Sequence, residues 1–347
     1  VGSVLCIFYR TYVIDFPNGS DIYVSKFDAG GGSLLGSTFV GGSQNDGLNT
    51  GLQTSYNYGD HARGEIILDG NGDPIVASCT FSSDFPATAG ALQGSLSGDQ
   101  DGCLFKLNSD LTALIWSTFI GGSNEDGAYS VTLDNSNNLF VCGGTRSTNF
   151  PTTAGSLNPG YNGGDTDGWV ARLNNTATTM SAGTFIGTTG RDQTYFVKTD
   201  LDNDVYIMGQ ALGTGYTVTP GVYSNPGSAH YVTKLFNNLS GIDYSTVFGD
   251  GNLVVNISPT ALQVDVCENV YVSGWGGQVN NSFNTLTGFT YGMPVTSDAF
   301  KPATDGSDFY YFVLSKNGIN LQYASYFGGD ISREHVDGGT SRFDAEG

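Results

Sequence analysis

The chain has 347 residues and a formal net charge of −20, with 13 Lys plus Arg against 33 Asp plus Glu. That balance excludes nucleic acid as a partner, because phosphate backbones are held by clustered Lys and Arg. No apolar run reaches the ~18 residues of a membrane span, so no insertion into a bilayer is expected. Gly is abundant at 51 residues, Tyr and Phe number 19 and 21, and charged residues make up only 13%. Short runs of Val, Ile, Thr, Tyr and Phe are bounded by Gly, Asn, Asp and Ser, and this pattern reads as all-β with tight turns.

Residues 1–19 fit the pattern of the rest poorly and are read as the end of a preceding unit. Val4 to Tyr9 is too short for a signal-peptide core and lacks a basic flank, so an export signal is expected to lie outside this sequence. From residue 20 the chain repeats. Ser37-Thr38-Phe39-Val40-Gly41-Gly42 matches Ser117-Thr118-Phe119-Ile120-Gly121-Gly122, and further copies centre on Phe185, Val247 and Tyr326. A second marker keeps step: Phe85-Pro86-Ala87-Thr88-Ala89-Gly90 matches Phe150-Pro151-Thr152-Thr153-Ala154-Gly155, with weaker versions from Tyr216 and Met293. Two markers in register establish an internal repeat. The units are 20–97, 98–163, 164–226, 227–305 and an incomplete 306–347.

Each unit contains a strand carrying a base just before its last apolar residue: Lys26, Lys106, Arg172 and Lys234, with Val313 in the fifth copy. Strand alternation turns that base away from its apolar neighbours, so it is expected at solvent or at a sheet edge. Each unit also holds a hairpin with a polar turn, at Asp69 to Asp73, Asp134 to Asn138, Asp200 to Asp204 and around Glu268. Four short antiparallel strands per unit, repeated, specify a β-propeller of four-stranded blades, with about five repeats visible. Units of ~65 residues exceed the ~40–45 of a WD40 blade. The surplus is assigned to long loops, chiefly Gly42 to Arg63 and Gly276 to Met293, on a functional face.

The run Asp-x-x-Val-x-Lys-Leu, then Tyr/Trp-Ser-Thr-Phe-x-Gly-Gly, then Asp-x-x-x-Asn-x-Tyr-Val-x-Gly and Phe-Pro-x-Thr-x-Gly resembles the SBBP repeat, the repeat of a seven-bladed β-propeller. The resemblance covers about residues 20–347, and residues 1–15 depart from it. Glu334 to Asp344 is similar to a late blade in very large Bacteroidota surface proteins associated with gliding motility and type IX secretion. The resemblance implies export to the cell surface, a scaffold or adhesive role, and partners among other domains or subunits of a surface assembly, glycans or cell surfaces. It implies no catalytic motif.

The residues themselves offer little chemistry. There is no G-x-S-x-G, H-E-x-x-H or Walker loop. His61, His230 and His335 are read as structural or surface residues. Cys6, Cys79, Cys103, Cys142 and Cys267 are odd in number, widely spaced and without C-x-x-C, which suggests neither a disulfide framework nor zinc. Calcium is the one cofactor the spacing suggests. Asp69, Asn71 and Asp73, and Asp200, Asp202 and Asp204, present alternating oxygen ligands like the opening of an EF-type loop, although Thr80 and Ala211 stand where the bidentate Glu would be. The turn geometry alone also calls for these residues.

The expectation is therefore a non-enzymatic extracellular scaffold or adhesion module. One alternative is a carbohydrate-binding propeller with Trp275, Tyr291 or Tyr58 stacking on sugar rings. Another is a glycoside hydrolase or lyase with carboxylates in the central channel. Phe343 to Gly347 aligns with the turn of a blade hairpin, so the chain is expected to be a fragment of a longer polypeptide.

Overall fold

The computed structural model describes residues 4–8, 19–51, 53–283 and 288–336; the expectation for 343–347 lies outside them. The described residues form five antiparallel sheets in chain order. The first is β1 (Val4–Phe8), β2 (Ile22–Phe27) and β3 (Leu34–Val40). The second is β4 (Glu65–Leu68), β5 (Pro74–Thr80), β6 (Asp101–Leu107) and β7 (Leu114–Ile120). The third is β8 (Asp126–Leu133), β9 (Leu139–Thr145), β10 (Asp167–Leu173) and β11 (Met180–Ile186). The fourth is β12 (Asp192–Thr199), β13 (Val205–Ala211), β14 (His230–Leu235) and β15 (Ile242–Phe248). The fifth is β16 (Ser258–Val264), β17 (Val270–Trp275), β18 (Phe309–Leu314) and β19 (Leu321–Phe327).

Every sheet is a meander, each strand hydrogen-bonded to the next in sequence. The first strands β4, β8, β12 and β16 pack on one another in succession, which places them at the axis. The apolar cores lie between sheets rather than within one. Ile75, Leu104 and Ile120 of the second sheet meet Ala128, Val131 and Val141 of the third. Cys142, Val170 and Ile186 of the third meet Val197, Val205 and Ile207 of the fourth. Each buried Val, Ile or Leu contributes ~1.5–3 kcal/mol. The chain is a β-propeller.

The strands β2, β6, β10, β14 and β18, which begin at or within two residues of Ile22, Cys103, Trp169, Tyr231 and Phe309, occupy one place: each lies between the strand before it in sequence and the outer strand after it. The repeat and the sheet, however, are out of phase. Unit 98–163 supplies β6 and β7 to the second sheet and β8 and β9 to the third, and the units 20–97, 164–226 and 227–305 divide likewise. β1 pairs with β2, so residues on both sides of position 19 share the first sheet. Each repeat therefore joins two blades covalently.

The Phe-Pro marker has a mechanical role. Its aromatic residue packs on the third strand, as Phe150 does on Trp169 with ring centroids 4.6 Å apart. Its threonine then closes the outer strand. Thr153 N–H donates to the Gly183 carbonyl (3.0 Å), and Gly183 N–H donates back to Thr153 Oγ1 (3.0 Å). Thr88 with Ser117, Thr219 with Ser245 and Thr296 with Ala324 repeat both bonds at 3.0–3.2 Å. An outer strand left bare would present a row of unpaired backbone groups, and this clamp covers them. Thr153→Val keeps the shape and removes the acceptor. It should cost about 1 kcal/mol in urea denaturation and speed hydrogen exchange at the Gly183 amide.

Candidate functional site at the loop face and the sheet junctions

The two long loops meet over one end of the propeller. In the first, Asn57, Asp60 and Arg63 are buried. Asp60 Oδ2 accepts from the amides of Tyr56 (2.8 Å) and Asn57 (2.7 Å) and from Tyr195 Oη (3.1 Å). Arg63 Nε donates to Asp60 Oδ1 at 2.9 Å, and its Nη atoms reach the Pro259 carbonyl on β16 at 3.2 Å. The guanidinium lies 4.4 Å from the Tyr195 ring centroid, a cation–π contact. This loop, which joins β3 to β4, thus reaches the fifth sheet through Arg63. The second loop joins it where Tyr58 N–H donates to Asn280 Oδ1 (2.9 Å). Where the loops meet, Tyr58, Trp275 and His335 form a ring cluster with centroids 5.8–6.1 Å apart.

Nearer the axis, Glu65 of β4 is buried and takes Lys198 Nζ of β12 (2.8 Å), the Ser130 hydroxyl of β8 and the Val131 amide (3.2 Å). Both central carboxylates, Asp60 and Glu65, are therefore engaged by protein cations. A carboxylate held this way fixes geometry; general acid–base work needs a group free to exchange its proton with a substrate.

The three histidines are dispersed. His230 is fully buried, and its Nε2 accepts the amides of Asn256 (3.0 Å) and Ile257 (3.3 Å); burial lowers its pKa to about 3 and keeps it neutral. His61 is partly buried, which lowers its pKa. His335 is exposed. Cys79, Cys103 and Cys142 are buried and free, as small core residues, while Cys267 is free and exposed. Of the aromatics expected to stack on sugars, Trp275 is buried and has no open ring face. Tyr58 is partly buried. Tyr291 is 54% exposed and stacks on Phe289, centroids 5.7 Å apart.

The recurring base is not at solvent. Lys106 pairs with Asp69 Oδ2 (2.6 Å), Arg172 with Asp134 Oδ2 (2.8 Å) and Lys234 with Asp200 Oδ2 (2.9 Å); Lys234 is only 6% exposed. Alternation does turn the base to the opposite face, but in a stacked blade that face is covered too. The same pairs account for the turn carboxylates singled out for calcium. Asp69 Oδ1 accepts the amides of Asn71 and Asp73, both at 2.9 Å, and Asp200 Oδ1 those of Asp202 (3.0 Å) and Asp204 (2.9 Å). Asp73 and Asp204 lie 3.4 and 3.3 Å from the same ammonium groups, and Asn71 and Asp202 are exposed. A lysine thus stands beside Asp69, Asp73, Asp200 and Asp204. Among the described residues no three His, Cys, Asp or Glu side chains are grouped so as to hold a metal ion. The fifth sheet explains Val313: Asp265 Oδ2 takes Asn269 Nδ2 (2.8 Å) and Tyr271 Oη (3.0 Å), so no base is needed.

A second set of carboxylates was not singled out by sequence. Asp46, Asp126 and Asp192 follow the Gly-Gly or Gly-Thr that ends an outer strand, and each is buried. Each accepts the amide of the second residue of that pair, as Asp126 Oδ2 does from Gly122 (2.6 Å). A second Asp opens the third strand alongside: Asp21, Asp101, Asp167 and Asp308. The two meet around the first glycine. A Cβ on Gly121 would lie 2.5 Å from Asp101 Oδ1 and 2.9 Å from Asp126 Oδ2, so no side chain fits. Burial raises the pKa of Asp101 to about 6 and that of Asp126 to about 7, the latter also through the charge of Asp101. The spacing Gly-Gly-Ser-x-x-Asp, at 41–46 and 121–126, was the available signal.

No family model matches the chain, and no curated protein is similar to it in sequence. Solved structures overlap it loosely. A protein of unknown function from Bacteroides caccae is 10% identical over 88% of this chain and 78% of its own, with a TM-score of 0.40. The Dos1 propeller is 9% identical over 89% of this chain and 54% of its own, at 0.39. The Hadza microbial sialidase Hz136 is 12% identical over 91% of this chain and 68% of its own, at 0.36. Overlaps this loose say nothing of what the chain binds.

A carboxyl whose pKa is raised by folding stabilises the fold while protonated. The contribution is complete below the unfolded value of ~3.9 and is lost as pH rises through the folded one. For Asp126 that loss falls between about pH 4 and pH 7. Asp126→Asn should therefore gain on the wild type as pH rises from 5 to 8, by roughly 2–3 kcal/mol, read from urea midpoints at each pH.

Proposed function

We propose that the chain is a non-enzymatic β-propeller module of a secreted bacterial surface protein, and that it binds or assembles through the loop face. The observation that carries this reading is the Asn57–Asp60–Arg63 network, which fixes one long loop to Tyr195, Pro259 and the other long loop at Asn280. A loop anchored at this depth presents its surface residues preformed, so little ordering entropy opposes association. The acidic, Gly-rich composition and the resemblance to SBBP repeats support an extracellular setting. The partners would be other domains of a surface assembly, or glycans and cell surfaces met through the exposed Tyr291.

The test combines binding and turnover. Labelled protein is applied to a glycan array and to intact bacterial cells, and incubated with a panel of chromogenic glycosides and sialosides. The reading expects binding that falls at least tenfold in Tyr58→Ala/Tyr291→Ala, with no hydrolysis. Hydrolysis abolished by Asp60→Asn or Glu65→Gln would overturn it in favour of an enzyme.

A further inference from the structure

The junctions between sheets can be compared with one another, and one of them lacks a cation that another possesses. At the last junction the Lys301 ammonium donates to Asp308 Oδ1 (2.9 Å), to the Gly328 carbonyl (3.0 Å) and to the Gly329 carbonyl. One carboxylate and two carbonyls of the glycine pair thus form an oxygen cage around a positive charge. Lys301 is placed there by its carbonyl, which accepts Tyr326 N–H at 3.2 Å.

The same backbone bond places Gln93 opposite Phe119 (3.0 Å) and Asn158 opposite Phe185 (2.9 Å). Gln93 reaches its junction, and Nε2 donates to Asp101 Oδ2 at 2.6 Å. Asn158 is one methylene shorter, and its amide goes to the Phe185 carbonyl (3.4 Å) instead. Asp167 is left with the Asn162 amide on Oδ2 (2.5 Å), while Oδ1 is buried without a hydrogen-bond partner. The adjacent Thr166 hydroxyl is likewise buried and unpartnered. Asp192, the carboxylate across the junction, is also buried, and its oxygens accept from neutral groups, the Thr188 amide (2.6 Å) and hydroxyl (3.0 Å) and the Leu212 amide. Two buried carboxylates with no protein cation are costly to keep charged.

We infer that the junction of the third and fourth sheets binds one divalent hard cation of the calcium class, in the place that Lys301 Nζ takes at the last junction. Its ligands are Asp167 Oδ1 and the carbonyls of Gly187 and Thr188, the counterparts of Gly328 and Gly329, with Asp192 supplying the second negative charge. Calcium suits a site of mixed carboxylates and carbonyls, because it accepts six to eight oxygens in flexible geometry and waters complete the shell. Magnesium demands a tighter octahedron. This site is distinct from the hairpin turns at Asp69 and Asp200, which hold lysines.

The test uses the whole chain, stripped with EDTA and dialysed at pH 8 against calcium chloride, with bound metal counted by mass spectrometry and thermal unfolding followed in parallel. One calcium per chain is expected. At calcium one hundred times its dissociation constant, the unfolding constant should fall about 100-fold. Asp167→Asn should lose that calcium. Asn158→Lys carries the test if Asp167→Asn fails to fold. It restores the ammonium of the last junction, so it should fold, bind no calcium there and melt in EDTA above the stripped wild type. Calcium uptake by Asp167→Asn or Asn158→Lys equal to that of the wild type would overturn the site. So would a wild type that calcium leaves unchanged while acidification from pH 8 to 5 stabilises it, since a proton would then be holding the pair.

Discussion

A sheet buried on both faces has nowhere to put a charge except against another protein group. That constraint organises this propeller. The all-buried second strands β5, β9 and β13 show how completely the blades cover one another. An unpaired charge at such depth costs several kcal/mol, and Lys106, Arg172, Lys234, Asp60 and Glu65 each have a fixed partner. Lys106, Arg172 and Lys234 of the third strands each close on the first aspartate of a hairpin turn, whose other oxygen caps that turn, while Lys26 donates to the Ser109 carbonyl. The outer strand is sealed by the threonine of the Phe-Pro marker. The axial carboxylates are closed by Arg63 and Lys198. The repeated polar residues are thus staples, and their recurrence reflects the geometry of stacking.

Much of this was legible in the sequence. The strands and the polar turns follow from period-two apolar runs bounded by Asn, Asp and Gly, and their equivalence from two markers in step. The turns need a left-handed residue at one place, filled by Gly72, Asn137, Asn203 and Glu268 with φ of 80°, 61°, 67° and 62°. What could not be read was which polar groups meet. Alternation placed Lys106 on the face opposite Phe105, but only tertiary stacking decides whether that face is wet. Asp69 and Asp200 looked like metal ligands because a turn cap and a calcium loop use the same residues at the same spacing. The junction aspartates were missed because Asp101 and Asp126 belong to different sheets and meet only across Gly121. The offset between repeat and sheet was hidden for the same reason: a repeat can be cut anywhere, and hydrogen bonding alone fixes where a blade begins.

The division of labour between frame and loops bears on function. The frame spends its few cations inside: Lys106, Arg172, Lys198 and Lys234 all meet carboxylates within 3 Å at their closest contact. Apart from the buried junction aspartates, much of the remaining acidity is carried by exposed turns and loops, where it favours solubility and limits non-specific association. The long loops are built differently from the rest of the surface. Their buried Asn57, Asp60 and Asn280 tie them to one another and to the axis, so the face they form moves with the frame.

The central claim is that the recurring base and the turn aspartate act as one internal staple. A double-mutant cycle on Arg172 and Asp134, with each changed to Ala singly and together, measures it most directly. The pair is suited to this because Arg172 Nη2 reaches Asp134 Oδ2 at 2.8 Å and Asp134 is nearly buried. The account predicts a coupling energy of about 2 kcal/mol in urea unfolding, within the range of interacting buried pairs. A coupling below about 0.5 kcal/mol, the level of an exposed ion pair, would contradict it.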